Sequence, residues 1–168
     1  LALLPTDQLI NRILEAIKNL GPEIGLIFTK PNSDTNGRVI IHAIDEYVKQ
    51  HPNAKSYTSL GQLRYFSTIN QVNAVVGNSS SGLYEVPSFK KPTVNIGDRQ
   101  KGRLSAASII NCKSEVKAIE QAMLQAFEMD CSTVSNPYGE GNVSSKIINH
   151  LKQIQDPQQL IVKHFYSR

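Results

Sequence analysis

The sequence lacks most of the features that would classify it at a glance. No apolar run approaches the ~20 residues that span a bilayer, and no charged n-region with a cleavage site opens the chain. A membrane or secreted protein is therefore not expected. Its two cysteines, Cys112 and Cys131, stand far apart and form no CxxC pair, which argues for unpaired thiols in a reducing compartment, the cytoplasm, and against a metal site. Its four histidines, His42, His51, His150 and His164, are scattered, with no HExxH spacing. The phosphate-loop patterns GxxxxGK[ST] and GxGxxG are absent, as are internal repeats and low-complexity tracts. Missing too is a pair of carboxylates whose spacing demands acid–base chemistry. Asp34, Asp45, Glu46 and Asp98 are available but unpaired, and no catalytic group, cofactor or metal is assigned.

What is present is the makeup of a packed domain. The 168 residues predict about one domain, and a chain of this length buries roughly 70% of its unfolded surface without a staple. A composition of 40% hydrophobic and 19% charged residues excludes disorder. The net charge is +4, and the densest basic cluster is Arg99-Gln100-Lys101-Gly102-Arg103. A duplex-DNA binder carries a basic stripe or a motif, so a small anion fits this cluster better than nucleic acid. The chain opens on Leu1-Ala2-Leu3-Leu4-Pro5 without an initiator Met. That start leaves two expectations open, a whole small protein or a piece of a larger one.

Periodicity divides the chain into alternating elements. Thr6 and Asp7 are candidate N-caps for a helix with apolar Leu9, Ile10, Ile13, Leu14, Ile17 and Leu20, which Gly21-Pro22 stops. Ile24 to Phe28 reads as a buried strand, followed by the polar loop Asn32 to Gly37 and a helix carrying Val39, Ile40, Ala43, Ile44, Tyr47 and Val48. A weaker strand is expected over 54–60 and a short helix over 62–71. Asn73 to Gly77 is the clearest strand, and strands follow over 92–96 and 108–111. Between them a short helix runs through Glu85 to its limit at Pro87. Ser114-Glu115 opens a long amphipathic helix, and C-terminal helices follow over 143–154 and 158–165. This alternation predicts an α/β fold of the Rossmann-like, three-layer kind, with a parallel sheet and helices on both faces.

In such a sheet ligands bind beyond the carboxyl ends of the strands. Three segments there are unusually polar, Lys30 to Arg38, Asn78 to Glu85 and Gly97 to Arg103, and parallel order places all three on one edge. Asn78-Ser79-Ser80-Ser81-Gly82 has the makings of an anion cradle, with small residues, hydroxyls and helix-start N–H groups. Capping is the plainer alternative, but a cap contributes about 1 kcal/mol and accounts for one serine, not three. Arg99 and Arg103 suit a diphosphate, which a planar guanidinium grips bidentately, or else form a solvated basic loop. Glu85 would be repelled beside a phosphate. One step away it could accept from a ribose diol, and as a plain surface carboxylate it would do neither.

Taken together, Gly77-Asn78-Ser79-Ser80-Ser81-Gly82-Leu83-Tyr84-Glu85 and Pro92-Thr93-Val94-Asn95-Ile96-Gly97-Asp98-Arg99-Gln100-Lys101-Gly102-Arg103 resemble the UDP-N-acetylglucosamine 2-epimerase family. The likeness is to its hydrolysing branch, which feeds sialic acid and related sugar biosynthesis. Pro137-Tyr138-Gly139-Glu140-Gly141-Asn142 resembles that family's closing motif, and the likeness runs from about Leu26 to Ile154. It implies a two-domain fold of the glycosyltransferase-B (glycogen phosphorylase-like) kind with the active site in the cleft. Residues 1–168 would be the C-terminal UDP-binding domain, with helices at about 143–165. The proton-transferring carboxylates would belong to an absent N-terminal domain, and the whole protein would be a homo-oligomer.

By the same resemblance Ser79 and Ser80 hold the diphosphate, Glu85 grips the ribose, and Arg99 meets the phosphates. Asn32 and Arg38 approach the nucleotide, and the backbone at Ser59 and Leu60 reads the uracil. Arg103 and Ser81 are weaker candidates. The implied reaction removes the proton at sugar C2 as UDP leaves C1, and water then adds to give N-acetylmannosamine and UDP. Two other readings stay open, the donor-binding domain of a UDP-sugar glycosyltransferase and a non-catalytic nucleotide- or nucleic-acid-binding module.

Overall fold

A computed structural model describes residues 5–31, 35–139 and 141–161. The chain forms two compact units, Leu1–Tyr138 and Gly139–Arg168. In the first, α1 (Thr6–Asn19) buries Ile10, Ala16 and Ile17. The N-cap position is Pro5 and no side chain caps the helix, so Thr6 and Asp7 sit inside the first turn instead. There Asp7 still complements the positive end of the helix. The helix ends as expected, with the Leu20 N–H turned back onto the Ile17 carbonyl, the Gly21 N–H onto the Lys18 carbonyl, and Gly21 at φ 98.

β1 (Leu26–Thr29) and β2 (Ala54–Tyr57) pair in parallel, joined by α2 (Thr35–Gln50). β3 (Val75–Gly77), β4 (Thr93–Ile96) and β5 (Ile109–Cys112) form a second parallel ladder with β4 in the middle. Instead of one continuous sheet, the described strands thus make a pair and a triplet. β3, with three residues, offers few ladder bonds on its second edge.

All four residues of β4 are buried, and they alternate between two faces. Val94 and Ile96 join Ala16, Ile17, Ile110 and the Ile119, Ala122, Met123 and Ala126 stripe of α5 (Val116–Glu128) in one core. Burying each of the Val, Ile and Met side chains among them contributes ~1.5–3 kcal/mol. Thr93 and Asn95 point the other way. The Asn95 side chain donates to Asn111 Oδ1 at 2.7 Å, across the register pair Asn95–Asn111. Thr93 packs on α4 (Ser81–Tyr84), with its hydroxyl donating to the Gly82 carbonyl at 3.0 Å. Helices therefore cover both faces of the triplet, as the alternation predicts.

Several expected boundaries move: the first strand runs over Leu26–Thr29 rather than 24–28, the one expected from Asn73 starts at Val75, and the last runs over Ile109–Cys112. The strand drawn to residue 60 ends at Tyr57. Ser59 Oγ accepts the Gly61 N–H at 3.2 Å, and this local bond, with Gly61 at φ 62, turns the chain into α3 (Gly61–Gln71) in place of extending the ladder. In α5, Glu115 takes the N-cap position without a side-chain hydrogen bond. The second unit holds α6 (Val143–Lys152), entered through Asn142 at φ 58. After it, the helix expected over 158–165 is a 3-10 turn at Pro157–Leu160. Asp156 tightens that turn by accepting the Gln158 N–H at 3.0 Å, and residues 162–168 lie outside the described ones.

Candidate functional site

Because β3 and β4 run parallel with Gly77 opposite Asn95, the loops that leave them emerge side by side. Gly97, at φ 75, makes the turn out of β4, and its N–H bonds the Cys112 carbonyl at 2.9 Å. Asn78 then ties the two loops together. Its carbonyl accepts from Gln100 Nε2 at 2.7 Å, and its side-chain oxygen receives Arg99 Nη1 at 3.4 Å. Gln100 is only 4% exposed, and among the described residues its Oε1 has no hydrogen-bond partner. Nothing in its position within a basic run marks it as a buried bridge, so reasoning from the sequence passes over it.

The serine loop folds tightly on itself. The Ser79 carbonyl accepts the Gly82 N–H at 3.2 Å, and the Ser80 carbonyl accepts from both Leu83 and Tyr84 at 3.0 Å. Ser79 Oγ receives the Ser81 N–H at 3.4 Å. Capping thus explains part of Ser79, while the Ser79 and Ser80 N–H groups take no protein acceptor among the described residues. Ser81 is engaged differently: its hydroxyl donates to Glu85 Oε2 at 2.5 Å and lies 2.5 Å from the Tyr65 hydroxyl. Its single proton is spent and cannot also serve an anion. Gly82 is small for an internal reason, since a Cβ there would lie 2.7 Å from Thr93 Cγ2. It admits the strand rather than a ligand.

The closing Asn136-Pro137-Tyr138 segment fastens the far side of this loop. Asn136 Nδ2 donates at 2.8 Å both to the Tyr84 carbonyl and to Ser88 Oγ. The Tyr138 hydroxyl donates to the Leu104 carbonyl at 3.0 Å, and its ring meets Tyr84 edge-on at 4.3 Å. Arg103 lies over the other ring of this pair, 5.5 Å from the Tyr84 centroid. A cation over an exposed ring contributes ~0.5–1 kcal/mol, which gives Arg103 a structural partner. Arg99, by contrast, is exposed, and among the described residues it holds only its long contact to Asn78.

The remaining candidates are not gathered here. Arg38 is exposed on α2, and no described contact links it, Ser59 or Leu60 to the serine loop. Asn32 lies outside the described residues. Of the three polar segments expected on one edge, the structure bonds the second to the third. The first is joined instead to the end of β2, where the Lys30 N–H bonds the Tyr57 carbonyl at 2.9 Å. Lys30 Nζ is also taken, 2.6 Å from Asp45 Oδ1, and that bond holds the Asp45 carboxyl below the usual carboxylate range. His51 is structural: its ring stacks on Tyr47 at 3.8 Å and its Nδ1 lies 2.8 Å from the Tyr47 carbonyl. Both cysteines are free, and burial pushes each thiol up. Among the described residues no three His, Cys, Asp or Glu side chains gather as a metal site would require, and no helix is long and apolar enough to cross a membrane.

Residues 5–152 match the family model described as UDP-N-acetylglucosamine 2-epimerase. The chain is 42% identical over 118 residues to the hydrolysing GDP/UDP-N,N'-diacetylbacillosamine 2-epimerase of Campylobacter jejuni, a match covering 70% of this chain and 30% of that protein. It is 33% identical over 165 residues to polysialic acid biosynthesis protein P7 of Escherichia coli, covering 96% of this chain and 42% of that one. The fold superposes on the UDP-GlcNAc 2-epimerase of Methanocaldococcus jannaschii, solved with UDP-GlcNAc and UDP, with a TM-score of 0.68 at 16% identity. That superposition covers 86% of this chain and 41% of the archaeal enzyme. The fold is accordingly α/β and glycosyltransferase-B-like, and the chain spans less than half the length of the relatives it matches.

Proposed function

Since this chain belongs to the UDP-N-acetylglucosamine 2-epimerase family, we propose that it is the UDP-binding domain of a hydrolysing 2-epimerase acting on a UDP-linked 2-acetamido sugar. The observation that carries this reading is the Asn78 bridge, which ties the serine loop leaving β3 to the Arg99 loop leaving β4. The hydrolysing outcome is supported by the name of the Campylobacter relative, and a sialic acid or related pathway by that of the Escherichia coli one. The free thiols fit a reducing compartment, the cytoplasm.

In the reaction so proposed, the proton at sugar C2 is removed and UDP departs from C1, after which water adds to the unsaturated sugar. This domain's part is the leaving group. The Ser79 and Ser80 N–H groups and the Ser80 hydroxyl donate to the diphosphate. Arg99 gives up a weak 3.4 Å contact for a charge-assisted one as negative charge grows there. Glu85 accepts from the ribose. Among the described residues no group is assigned the C2 proton, and that task is proposed for an N-terminal domain.

Calorimetric titration tests the reading. The chain is expected to bind UDP with no turnover, and a polypeptide that includes the N-terminal domain to release UDP and free sugar without any acceptor. Absence of UDP binding at millimolar concentration overturns the first half. Production of N-acetylmannosamine by the 168-residue chain alone overturns the second.

A further inference from the structure

Two helices bring three side chains into one hydrogen-bonded chain that ends on Glu85. Tyr65 comes from α3, Ser81 opens α4, and Glu85 follows α4. The Tyr65 hydroxyl lies 2.5 Å from Ser81 Oγ, and Ser81 Oγ lies 2.5 Å from Glu85 Oε2. The direction of the protons follows from the acceptor at the end. A carboxylate oxygen accepts, so the one proton of Ser81 points at Glu85, and Tyr65 must then donate to Ser81. Tyr65 is itself held in place: the adjoining Phe66 packs on Phe89, with ring centroids 5.4 Å apart, beyond Glu85 in the chain.

Two consequences bear on ligand binding. Ser81 is withdrawn from the anion cradle, which leaves Ser79 and Ser80 to it. Glu85 is pinned through Oε2, while its Oε1 takes no hydrogen bond among the described residues. A long side chain that would otherwise sample several rotamers is thereby held with one acceptor open.

We propose that Ser81 and Tyr65 are positioning residues that aim Glu85 at the vicinal hydroxyls of a ribonucleotide, making the site prefer a ribose to a 2′-deoxyribose. The inference rests on the UDP reading above. It deepens that reading by naming what sets the sugar preference. The deoxy sugar lacks one of the two donors to the carboxylate, so it gains little from a well-aimed Glu85 and loses little when the aim fails.

The test titrates the chain and three variants, Ser81→Ala, Tyr65→Phe and Ser81→Thr, with UDP and with 2′-deoxyuridine diphosphate. The unaltered chain is expected to prefer UDP about tenfold, the scale of one hydrogen bond to a charged group. Ser81→Ala reduces that preference to below about threefold, Tyr65→Phe reduces it partway, and Ser81→Thr, which keeps the hydroxyl, restores it. Affinity for the deoxy nucleotide stays within about twofold throughout. Tyr65→Phe keeps the ring and its packing, so it carries the test if Ser81→Ala disturbs α4. A preference that survives in both variants overturns the inference and leaves the UDP reading standing. So does an equal loss for both nucleotides, which is what a merely structural role would produce. An unaltered chain that binds the two nucleotides equally also overturns it, and one that binds no UDP overturns the parent reading along with it.

Discussion

Replacing Gly82 with alanine probes the contact that seats the serine loop on the sheet. The added Cβ would stand 2.7 Å from Thr93 Cγ2, inside the distance that carbon atoms tolerate. Thr93 cannot easily yield, because it is 3% exposed, lies in the central strand, and anchors its hydroxyl on the Gly82 carbonyl at 3.0 Å. Overpacking of this kind costs ~1–3 kcal/mol. Gly→Ala within a helix returns ~0.5–1 kcal/mol, and α4, a single turn of four residues, returns the lower end of that. The net expectation is a loss of about 1–2 kcal/mol, which for a chain of this size lowers Tm by roughly 2–8 °C.

Thermal and urea unfolding of four proteins checks this: the unaltered chain, Gly82→Ala, Thr93→Ser and the double variant. Thr93→Ser removes only Cγ2 and keeps the hydroxyl bond, so it makes room for the new methyl. The double variant should recover about 1 kcal/mol relative to additivity. A Gly82→Ala protein with a raised Tm, or a strictly additive double variant, would refute the packing argument and return Gly82 to the role of a ligand-facing glycine.

Asn136→Ala removes the two 2.8 Å bonds to Tyr84 and Ser88 and the 3.0 Å bond that its side chain accepts from the Tyr138 N–H. It should lower stability by about 1–2 kcal/mol in urea unfolding, since each neutral bond contributes ~0.5–1.5 kcal/mol and these are solvent-accessible. An unchanged urea midpoint would show that the clasp carries no load. The Lys30–Asp45 pair makes a pH prediction. Its hydrogen bond and charge lower the Asp45 pKa from 3.8, although partial desolvation opposes them. With the folded value depressed, the stabilisation is present above the unfolded value and disappears as pH falls through the folded one. The urea midpoint of the unaltered chain should therefore drop more steeply below about pH 4 than that of Asp45→Asn, and parallel curves would exclude the pair as a contributor.

The loops were readable in the sequence because the signals that delimit them are local. Gly77, Gly97 and the serine run punctuate apolar segments, and a chain that alternates strand with helix must leave its polar segments at strand ends. Partnerships within the site were not readable. Gln100 and Asn78 are separated by 22 residues, as Asn136 and Tyr84 are by 52, and no periodicity encodes which side chains meet across such spans. Ser81 shows the difficulty most clearly. Beside Ser79 and Ser80 it looks like a third cradle residue, and only the arrival of Tyr65 from a separate helix reveals that its proton serves Glu85.

Local sequence signals suffice for the α/β alternation, the positions of the turns and the polar character of the segments beyond the strands. Hydrophobic period and Gly or Pro conformation act over a few residues, so they are written locally. Tertiary structure alone decided that the strands form a pair and a triplet, and that the loops after β3 and β4 lock together while the one after β1 joins the end of β2. It alone decided that Gly82 is small for Thr93. Those outcomes depend on close packing and on where each buried donor finds its acceptor, and both are settled only when distant segments come into contact.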